Sequence, residues 1–285
     1  MKILLTGASG QLGTDLAALI EGYGHHELVA AGHDRLDIGD RDAVLTAVTS
    51  LRPDLVVNAG AWTAVDACEA DPDRAWRANG LGPRHLAEGC RLTGAHLVQL
   101  STDYVFDGTS PRPYVEWDPP RPQSVYGQSK RAGEIEVLTQ LPGATVVRTS
   151  WVCGPNGSNM VKTVLRLAAS PGILRFVDDQ RGCPTFTPDL AGMVYRLGIG
   201  RRPGIFHVTN QGPTSWYGFA RDVLAAAGHD PERVEPVSTA ELVARYPAPR
   251  PANSVLDNAA LRASGIPLLD DYHEPLRRTV RQLVA

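Results

Sequence analysis

The chain has 285 residues and a net charge of −3, and 43% of its residues are hydrophobic while 21% are charged. These values are ordinary for a globular protein and argue against a disordered chain. A chain without an excess of basic residues offers no broad basic surface, so nucleic acid is not an expected partner. No apolar run reaches membrane-spanning length, and the four cysteines form no C-x-x-C pair. We therefore expect a reduced, cytoplasmic protein with no membrane partner.

The first half of the chain alternates short apolar runs with stretches of helical pattern. The runs predict five strands, namely Lys2–Thr6, Glu27–Ala31, Asp54–Asn58, Ala95–Leu100 and Ala144–Arg148. The intervening stretches predict four helices, over about Gln11–Tyr23, Asp40–Leu51, Asp71–Leu92 and Tyr126–Leu138. Strands that are apolar without alternation are typical of parallel strands buried on both faces. Repeated strand–helix units predict an α/β fold with a doubly wound parallel sheet of the Rossmann type, whose ligands bind beyond the carboxyl ends of the strands.

The second half of the chain is less regular. Five prolines within Ser110–Gln123 exclude a helix there and predict a long ordered loop. Helical patterns cover Ser158–Ala169 and Ser215–Ala227, and Gly204–Val208 has the pattern of a strand. A second proline-rich connection follows at Tyr246–Pro251.

The turn after the first predicted strand has the glycine spacing G-x-x-G-x-x-G and leads into a helix. Gly7 would permit the tight turn, Gly10 would let the backbone approach a pyrophosphate, and Gly13 would let the helix pack against the strand. Gln11 and Leu12 begin the helix, whose free N–H groups would face the phosphates. The alternative is a glycine-rich turn without a ligand, but its place between a strand and a helix favours a bound dinucleotide.

The end of the second predicted strand bears on the choice of dinucleotide. An acidic residue there usually binds the ribose 2′-hydroxyl, but this chain has Gly32 or His33 at that position. A 2′-phosphate could instead pair with Arg35 or His33, so NADPH is preferred over NADH as the cofactor. Asp37 and Ile38 follow where they could reach the adenine, although Asp37 could also be a solvated loop carboxylate.

A tyrosine and a lysine four residues apart are the candidate proton-transfer pair. Tyr126 and Lys130 would share one face of a helix. A free tyrosine has a pKa of about 10, and a neighbouring ammonium group lowers it, so Tyr126 could protonate an alkoxide formed by hydride transfer to a carbonyl. The pattern by itself is often only an exposed helix face. After a strand and a glycine-rich turn, it favours a reductase.

The carboxyl ends of two other predicted strands complete the candidate site. Thr102 follows the fourth strand and could donate a hydrogen bond to a substrate oxygen, or could instead satisfy backbone groups of its turn. The third strand is followed by small residues that would allow close approach of the cofactor, namely Ala59, Gly60 and Ala61.

Together the glycine-rich start, the Tyr-x-x-x-Lys pair and the run Ser-Thr-Asp-Tyr-Val-Phe resemble extended short-chain dehydrogenases. More narrowly, the chain resembles the dTDP-4-dehydrorhamnose reductase family almost from end to end. Four further segments carry this resemblance: Asn58–Glu69, Arg148–Gly154, Asp179–Thr185 and Arg250–Asp257. Three residues depart from the family pattern and affect the expected substrate rather than the reaction, namely Gly60, Trp62 and Cys153.

The resemblance implies an activity and a set of roles. The activity is NAD(P)H-dependent reduction of the C4 keto group of dTDP-4-dehydro-6-deoxy-L-mannose to give dTDP-L-rhamnose. The implied catalytic residues are Thr102, Tyr126 and Lys130, of which Tyr126 and Lys130 also contact the cofactor. The implied substrate contacts are Thr102, Asp103, Tyr104 and Trp151.

Two alternatives remain for the function. The chain could be a 4-ketoreductase for another dTDP-linked deoxysugar of antibiotic biosynthesis, or a regulatory subunit that binds the dinucleotide without catalysis. The presence of all three implied catalytic residues favours an enzyme. We expect a dinucleotide-binding domain over residues 1–150 and a mainly substrate-binding α/β region over residues 151–285, some of whose segments return to the first domain. We expect a monomer or a homodimer.

Some members of the family bind Mg²⁺ at a dimer interface through three acidic side chains. Asp15 and Asp189 correspond to two of these positions, and Asp15 could equally be an ordinary charge in the first turn of a helix. The final predicted helix, Glu274–Ala285, offers no acidic residue near Arg281, the third position. We therefore predict no metal.

Overall fold

Strands and helices alternate through the first half of the chain. The structure is a computed structural model that describes residues 1–242 and 246–284. The elements of this half are β1 (Lys2–Thr6), α1 (Gln11–Tyr23), β2 (Glu27–Ala31), α2 (Arg41–Leu51), β3 (Leu55–Asn58), α3 (Val65–Ala70), α4 (Pro72–Trp76), α5 (Gly82–Thr93), β4 (His96–Thr102), α6 (Val125–Gln140) and β5 (Thr145–Thr149). The predicted bounds of β1, α1 and β2 are confirmed to the residue.

The second half holds shorter strands between helices, and its prediction was less complete. Its elements are β6 (Val152–Cys153), α7 (Met160–Ala168), β7 (Leu174–Val177), β8 (Arg181–Gly182), β9 (Thr185–Phe186), α8 (Thr187–Ile199), β10 (Gly204–His207), β11 (Thr214–Ser215), α9 (Trp216–Ala226), β12 (Val234–Val237), α10 (Thr239–Leu242), α11 (Ala259–Ala263) and α12 (His273–Val284). The sequence pattern missed α3 in the first half and, in the second half, α8, α10, α11 and all the strands except β10. Ala285, predicted to end the last helix, lies outside the described residues.

Six parallel strands form the central sheet in the order β10-β5-β4-β3-β1-β2. The predicted doubly wound parallel sheet of an α/β fold is thereby confirmed. The strand order reverses beside β1, and ligands of such sheets bind at this point. Side chains link the strands there, because Thr6 donates a hydrogen bond to Asn58 (2.7 Å) and Asn58 donates one to Gln99 (2.8 Å).

Apolar cores cover both faces of the sheet. One core joins β1 and β4 to α1 and α8, with Leu16 and Val194 fully buried. The core on the opposite face joins the sheet to α2, α5 and α6, with Val48 and Leu86 fully buried. Two-sided burial explains why the strands are apolar along their whole length.

A third core lies away from the sheet, between α7, α9 and α12. Its buried residues include Phe186 and Phe219. The strands β7 and β12 pair in parallel beside it. By contrast, α8 packs against α1, and β10 is an edge strand of the central sheet. The second half of the chain therefore contributes both to the third core and to the central sheet with its covering helices.

The predicted helix Asp71–Leu92 differs from the observed structure. Asp71 caps α4 by accepting a hydrogen bond from the amide of Arg74 (3.1 Å), and a π-helical turn over Arg77–Leu81 then separates α4 from α5. Pro83 lacks an amide hydrogen and would interrupt a regular helix at this point. A π turn accommodates such an interruption by widening the helix by one residue.

The predicted strand Ala95–Leu100 also has different bounds in the structure. It continues as β4 to Thr102, because Ser101 and Thr102 pair with Arg148 and Thr149 of β5. No helix in the described part of the chain is both long and apolar enough to cross a membrane.

Candidate active site

The glycine-rich turn after β1 has a conformation that depends on its glycines. Gly7 has a φ of +69°, and a Cβ atom there would lie 2.4 Å from the amide nitrogen of Gly60. A Cβ atom on Gly13 would lie 2.1 Å from the carbonyl oxygen of Gly7. The turn therefore brings the ends of β1 and β3 together and lets α1 begin directly above them.

The first turn of α1 is free to bind an anion. Its capping residue is Gly10, which has no side chain to accept hydrogen bonds from the first amides. An uncapped helix start presents free N–H groups and the positive end of the helix dipole. These groups fit the phosphates of a dinucleotide, and no carboxylate stands in this first turn.

A cleft of about 740 Å³ opens on one side of this turn. Asp37 lies in it, and its carboxylate accepts hydrogen bonds from the amide of Gly39 (2.9 Å) and from Nη2 of Arg77 (2.5 Å). The guanidinium of Arg74 lies 4.5 Å from the ring centre of Trp62. Most of the predicted cofactor contacts line this first cleft, namely Gly7, Gly10, Asp37, Ile38, Ala59, Gly60 and Ala61.

Two predicted cofactor residues line neither this cleft nor the next. Gly13 packs beneath the turn, and Arg35 has an exposed side chain outside the cleft. The basic side chains that do line it are His33, Arg74 and Arg77. Sequence reasoning missed the two arginines, because they come from α4 and the π turn, and no local pattern relates them to the second strand.

A second cleft, of about 570 Å³, opens on the other side of the turn. Ser9, Gly10, Ala59 and Ala61 line both clefts, so a long ligand with central phosphates could extend from one into the other. The predicted residues that line the second cleft are Gln11, Leu12, Thr102, Asp103, Tyr104, Tyr126, Lys130 and Trp151. All predicted catalytic and substrate-binding residues therefore lie together.

The start of α6 places Tyr126 at this cleft. Ser124 caps the helix by accepting a hydrogen bond from the amide of Gly127 (3.1 Å). Glu69 of α3 accepts another from the amide of Val125 (2.8 Å), so two separate elements fix the helix start. One turn later, the Nζ atom of Lys130 donates a hydrogen bond to the carbonyl oxygen of Leu100 on β4 (2.7 Å).

Burial shifts the proton affinities of this pair in opposite directions. It lowers the pKa of Lys130 to about 8, although the negative charge of Glu134 opposes this effect. It raises the pKa of Tyr126, whereas the sequence predicted that the ammonium group of Lys130 would lower it, and the hydrogen bond with Thr102 opposes that rise. In the protein alone Tyr126 therefore holds its proton near neutral pH, which is the state that a proton donor needs.

The end of β4 carries the other polar groups of the cleft. The hydroxyl of Thr102 donates a hydrogen bond to Oδ1 of Asp103 (3.0 Å) and accepts one from the amide of Tyr104 (3.2 Å). Asp103 is 2% exposed, and within the described residues its Oδ2 atom has no direct hydrogen-bond partner, although the hydroxyl of Ser254 lies near enough to favour the charged form of the carboxylate. Burial raises its pKa to about 6.

A buried ion pair holds α6 in place against the sheet. Glu134 lies one turn after Lys130, and its carboxylate accepts two hydrogen bonds of 2.8 Å from Arg148 of β5. Ser101 and Arg131 donate further hydrogen bonds to it (2.6 and 2.8 Å). Because its oxygens are satisfied from three elements, the carboxylate holds α6, β4 and β5 in a fixed relation.

Trp151 forms a wall of the second cleft. It has a φ of +46°, and its ring stacks on that of Trp216 with 3.5 Å between ring centres. Gly182 leaves space for it, because a Cβ atom there would lie 2.5 Å from the Trp151 ring. Trp151 also packs against the third core, so it both lines the second cleft and contributes to packing. Sequence reasoning missed Trp216, which no local motif marks.

The acidic residues considered as metal ligands have other partners. Asp189 accepts hydrogen bonds from Arg278 (2.6 Å) and Asn210 (2.9 Å), and Asp15 accepts one from Asn156 (2.7 Å). Within residues 1–242 and 246–284, no group of three or more His, Cys, Asp or Glu side chains could hold a metal ion.

Comparison with known proteins agrees with this arrangement. The model of the RmlD substrate binding domain family matches residues 1–285. A dTDP-4-dehydrorhamnose reductase of Streptomyces griseus is 47% identical over 280 residues, which cover 96% of this chain and 89% of the relative. A dTDP-4-keto-6-deoxy-D-glucose reductase of Streptomyces niveus is 42% identical, over 92% of this chain and 91% of the relative.

A solved structure extends the comparison to three dimensions. The dTDP-4-dehydrorhamnose reductase of Bacillus anthracis, crystallised in complex with NADP, superposes with a TM-score of 0.94, with 36% identity over 99% of each chain. Fold, sequence and site therefore agree, and this chain belongs to the dTDP-4-dehydrorhamnose reductase family of nicotinamide-dependent oxidoreductases.

Proposed function

We propose that the protein reduces the C4 keto group of dTDP-4-dehydro-6-deoxy-L-mannose to give dTDP-L-rhamnose, with NADPH or NADH as the reductant. The observation that carries this proposal is the second cleft. It holds Thr102, Tyr126 and Lys130 together, and it is continuous with a phosphate-binding turn. The relatives named dTDP-4-dehydrorhamnose reductase supply the substrate class.

In this mechanism a bound nicotinamide supplies the hydride for C4 of the sugar. Thr102 donates a hydrogen bond to the carbonyl oxygen and so stabilises the charge that develops there. Tyr126 then gives its proton to that oxygen. Lys130 stabilises the resulting phenolate and hydrogen bonds to the nicotinamide ribose. Asp103, Tyr104 and Trp151 hold the sugar nucleotide.

The proposed binding mode of the dinucleotide follows the two clefts. The pyrophosphate lies over Gly10, Gln11 and Leu12, the adenosine lies beside Asp37 and Ile38 in the first cleft, and the nicotinamide lies near Tyr126. We propose NADPH as the preferred reductant, because no carboxylate stands at Gly32 or His33 at the end of β2. The 2′-phosphate is then met by basic side chains around the first cleft, from His33, Arg35 and Arg77.

The remaining assignments extend the same proposal. Residues 1–150 bind mainly the dinucleotide, and residues 151–285 bind mainly the dTDP-sugar. The protein acts in the cytoplasm as a monomer or a homodimer, and it needs no metal.

A second candidate function is the reduction of another dTDP-linked 4-keto sugar. The observation that favours it is the Streptomyces niveus relative, which is named a dTDP-4-keto-6-deoxy-D-glucose reductase. The departures at Trp62 and Cys153 do not bear on this choice, because Trp62 lines the first cleft and Cys153 is buried in the third core. A regulatory role without catalysis is disfavoured, because the complete proton-transfer set lies in one cleft.

The test is the oxidation of NADPH and NADH by the purified protein with a panel of dTDP-4-keto-6-deoxy sugars, with the products identified by NMR. We expect turnover of the L-mannose derivative to dTDP-L-rhamnose. Turnover of only another sugar would support the second candidate. Binding of NADPH without turnover of any sugar in the panel would refute the enzymatic proposal.

A further inference from the structure

The segment Arg250–Asp257 carries part of the family resemblance, but none of its residues has a role in the chemistry described above. Two backbone hydrogen bonds of 2.8 Å each join it to Arg181 of β8. The amide of Asn253 donates another to the carbonyl oxygen of Gly108, in the loop that follows β4 (3.2 Å). A Cβ atom on Gly108 would lie 2.5 Å from the Cα atom of Pro251, so the two backbones touch. The segment is therefore fixed to the loop beyond Thr102.

The first residue of this segment is bound to the dinucleotide-binding half of the chain. Arg250 donates two hydrogen bonds to Asp66 of α3, from Nη1 to Oδ1 (3.1 Å) and from Nη2 to Oδ2 (2.6 Å). The amide of Ala248 donates a third to the same carboxylate (3.1 Å). The two side chains are only 19% and 35% exposed, and a paired, fork-shaped contact of this kind fixes direction as well as distance.

The guanidinium of Arg250 also lies near enough to Tyr104, beside the proton donor, to act on its hydroxyl group. Burial and the charge of Asp103 raise the pKa of Tyr104, whereas the positive charge of Arg250 and a hydrogen bond from it lower that pKa. The Tyr104 ring then meets the Tyr126 ring edge to face, with 5.5 Å between ring centres and an interplanar angle of 74°. A chain of contacts thus leads from Asp66 through Arg250 and Tyr104 to Tyr126.

We infer that Arg250, held in place by Asp66, is a positioning residue for the reduction. It acts through Tyr104, whose ring packs edge to face against Tyr126 and so fixes its orientation. Lysine would keep the charge at position 250 but would lose the paired hydrogen bonds to Asp66. The inference rests on the proposed function, because its consequences are measured in the reduction of the keto sugar.

The main test compares Arg250→Gln and Arg250→Lys with the unaltered protein, using the dTDP-4-keto sugar and NADPH. We expect Arg250→Gln to lower kcat by about tenfold, because small misplacement of a proton donor is costly. Arg250→Lys should recover part of that loss. The Kd for NADPH should stay within about twofold, because Arg250 lies outside the first cleft. If Arg250→Gln is poorly folded, Asp66→Asn tests the same contact with a nearly isosteric change.

A matched control separates positioning from stability. Arg41 makes a similar double hydrogen bond, to Glu88 on the outer face of α2 and α5. Arg41→Gln should leave kcat unchanged even if it lowers the melting temperature. If Arg250→Gln lowers the melting temperature but keeps the unaltered kcat, the pair is merely structural and the inference is wrong.

A double-mutant cycle tests the route. In a Tyr104→Phe background, Arg250→Gln should lower kcat by much less than tenfold, because the contact with the Tyr104 hydroxyl is already lost. An unchanged tenfold effect in that background would show that Arg250 does not act through Tyr104. Failure of the proposed function is distinguishable, because the unaltered protein would then reduce no sugar of the panel.

Discussion

The two clefts on either side of the glycine-rich turn differ in how their charged side chains are exposed. In the first cleft the charged groups face solvent, and the side chains of Asp37 and Arg77 are 36% and 58% exposed. At the second cleft they are buried, since Lys130 is 4% exposed, Asp103 is 2% exposed and Glu134 below them is fully buried. Acidic and basic side chains thus face water in the first cleft and the low-dielectric interior of the protein at the second cleft.

The difference agrees with the two tasks proposed for the clefts. A cleft that recognises the adenosine end needs charged side chains whose bound water a ligand can replace. This replacement costs little free energy when the ion pairs are solvated. A cleft that transfers a proton needs groups whose proton affinity is shifted and whose geometry is fixed, and burial provides both. We therefore expect substitutions at the second cleft to have large effects and those at the first cleft to have modest effects.

The largest effect is expected from the buried ion pair. Arg148→Met removes both hydrogen bonds from Arg148 to Glu134. The Glu134 carboxylate then stays buried with one cationic partner, Arg131, in place of two. We expect a loss of about 3–5 kcal/mol in the free energy of unfolding, measured by urea denaturation. The exposed pair of Arg41 and Glu88 provides the contrast, since Arg41→Met should cost far less stability than Arg148→Met. Equal losses in the two variants would contradict the comparison.

The next effect concerns the proton donor. Tyr126→Phe should lower kcat by about 10²-fold or more, the usual contribution of general acid catalysis. The Kd for NADPH should be nearly unchanged, because the phosphate-binding turn is intact. Steady-state kinetics and a cofactor titration on the same sample measure both quantities. A variant that turns over at close to the original rate would show that another group supplies the proton.

A third prediction concerns pH and stability. Burial raises the pKa of Asp103 from its ordinary value of 3.8 to about 6 in the folded protein. Between these values the folded state binds more protons than the unfolded state, so this carboxyl lowers stability as the pH rises from about 4 to about 6. The total loss is at most about 3 kcal/mol, and above about pH 6 no more is lost.

Asp103→Asn should lack this decline. We therefore expect the variant to gain stability relative to the unaltered protein between about pH 4.5 and about pH 7, as measured by urea unfolding at both values. A difference between the two proteins that does not change with pH would show that Asp103 has an ordinary proton affinity.

The smallest effect is expected in the first cleft. Arg77→Ala should raise the KM for NADPH by about tenfold, because one charge-assisted contact with the 2′-phosphate is lost. The KM for NADH should change little, since NADH lacks that phosphate. Arg35→Ala is the companion variant. If Arg35→Ala, and not Arg77→Ala, weakens NADPH binding selectively, the arginine nearer in sequence to β2 is the true partner of the 2′-phosphate.

The sequence predicted the regular part of the fold and the groups that local spacing encodes. The glycine spacing after β1 and the four-residue spacing of Tyr126 and Lys130 are local patterns, and the structure brings both to adjoining clefts. The doubly wound sheet follows from strands that are apolar on both faces. These features depend on residues close together in the chain, where periodicity carries the signal.

The site residues that the sequence did not predict depend on contacts between residues far apart in the chain. Arg77 reaches the first cleft from a π turn, and it pairs with Asp37, 40 residues earlier. Trp216 becomes a wall of the second cleft only because it stacks on Trp151. Neither residue lies in a recognisable motif, so only the folded arrangement shows their place.

The π-helical turn between α4 and α5 has a consequence for how the family can vary. Asn79 in this turn bonds to the amide and the carbonyl of Trp62 (2.8 and 3.0 Å) and to Ser129 on α6 (3.1 Å). A helix rotates by about 100° per residue. Deleting one residue here would restore a regular helix but turn Arg74 and its neighbours away from the first cleft, while α5 stayed in register with α6. The number of residues between Asp71 and Gly82 is therefore expected to stay constant wherever both clefts are kept.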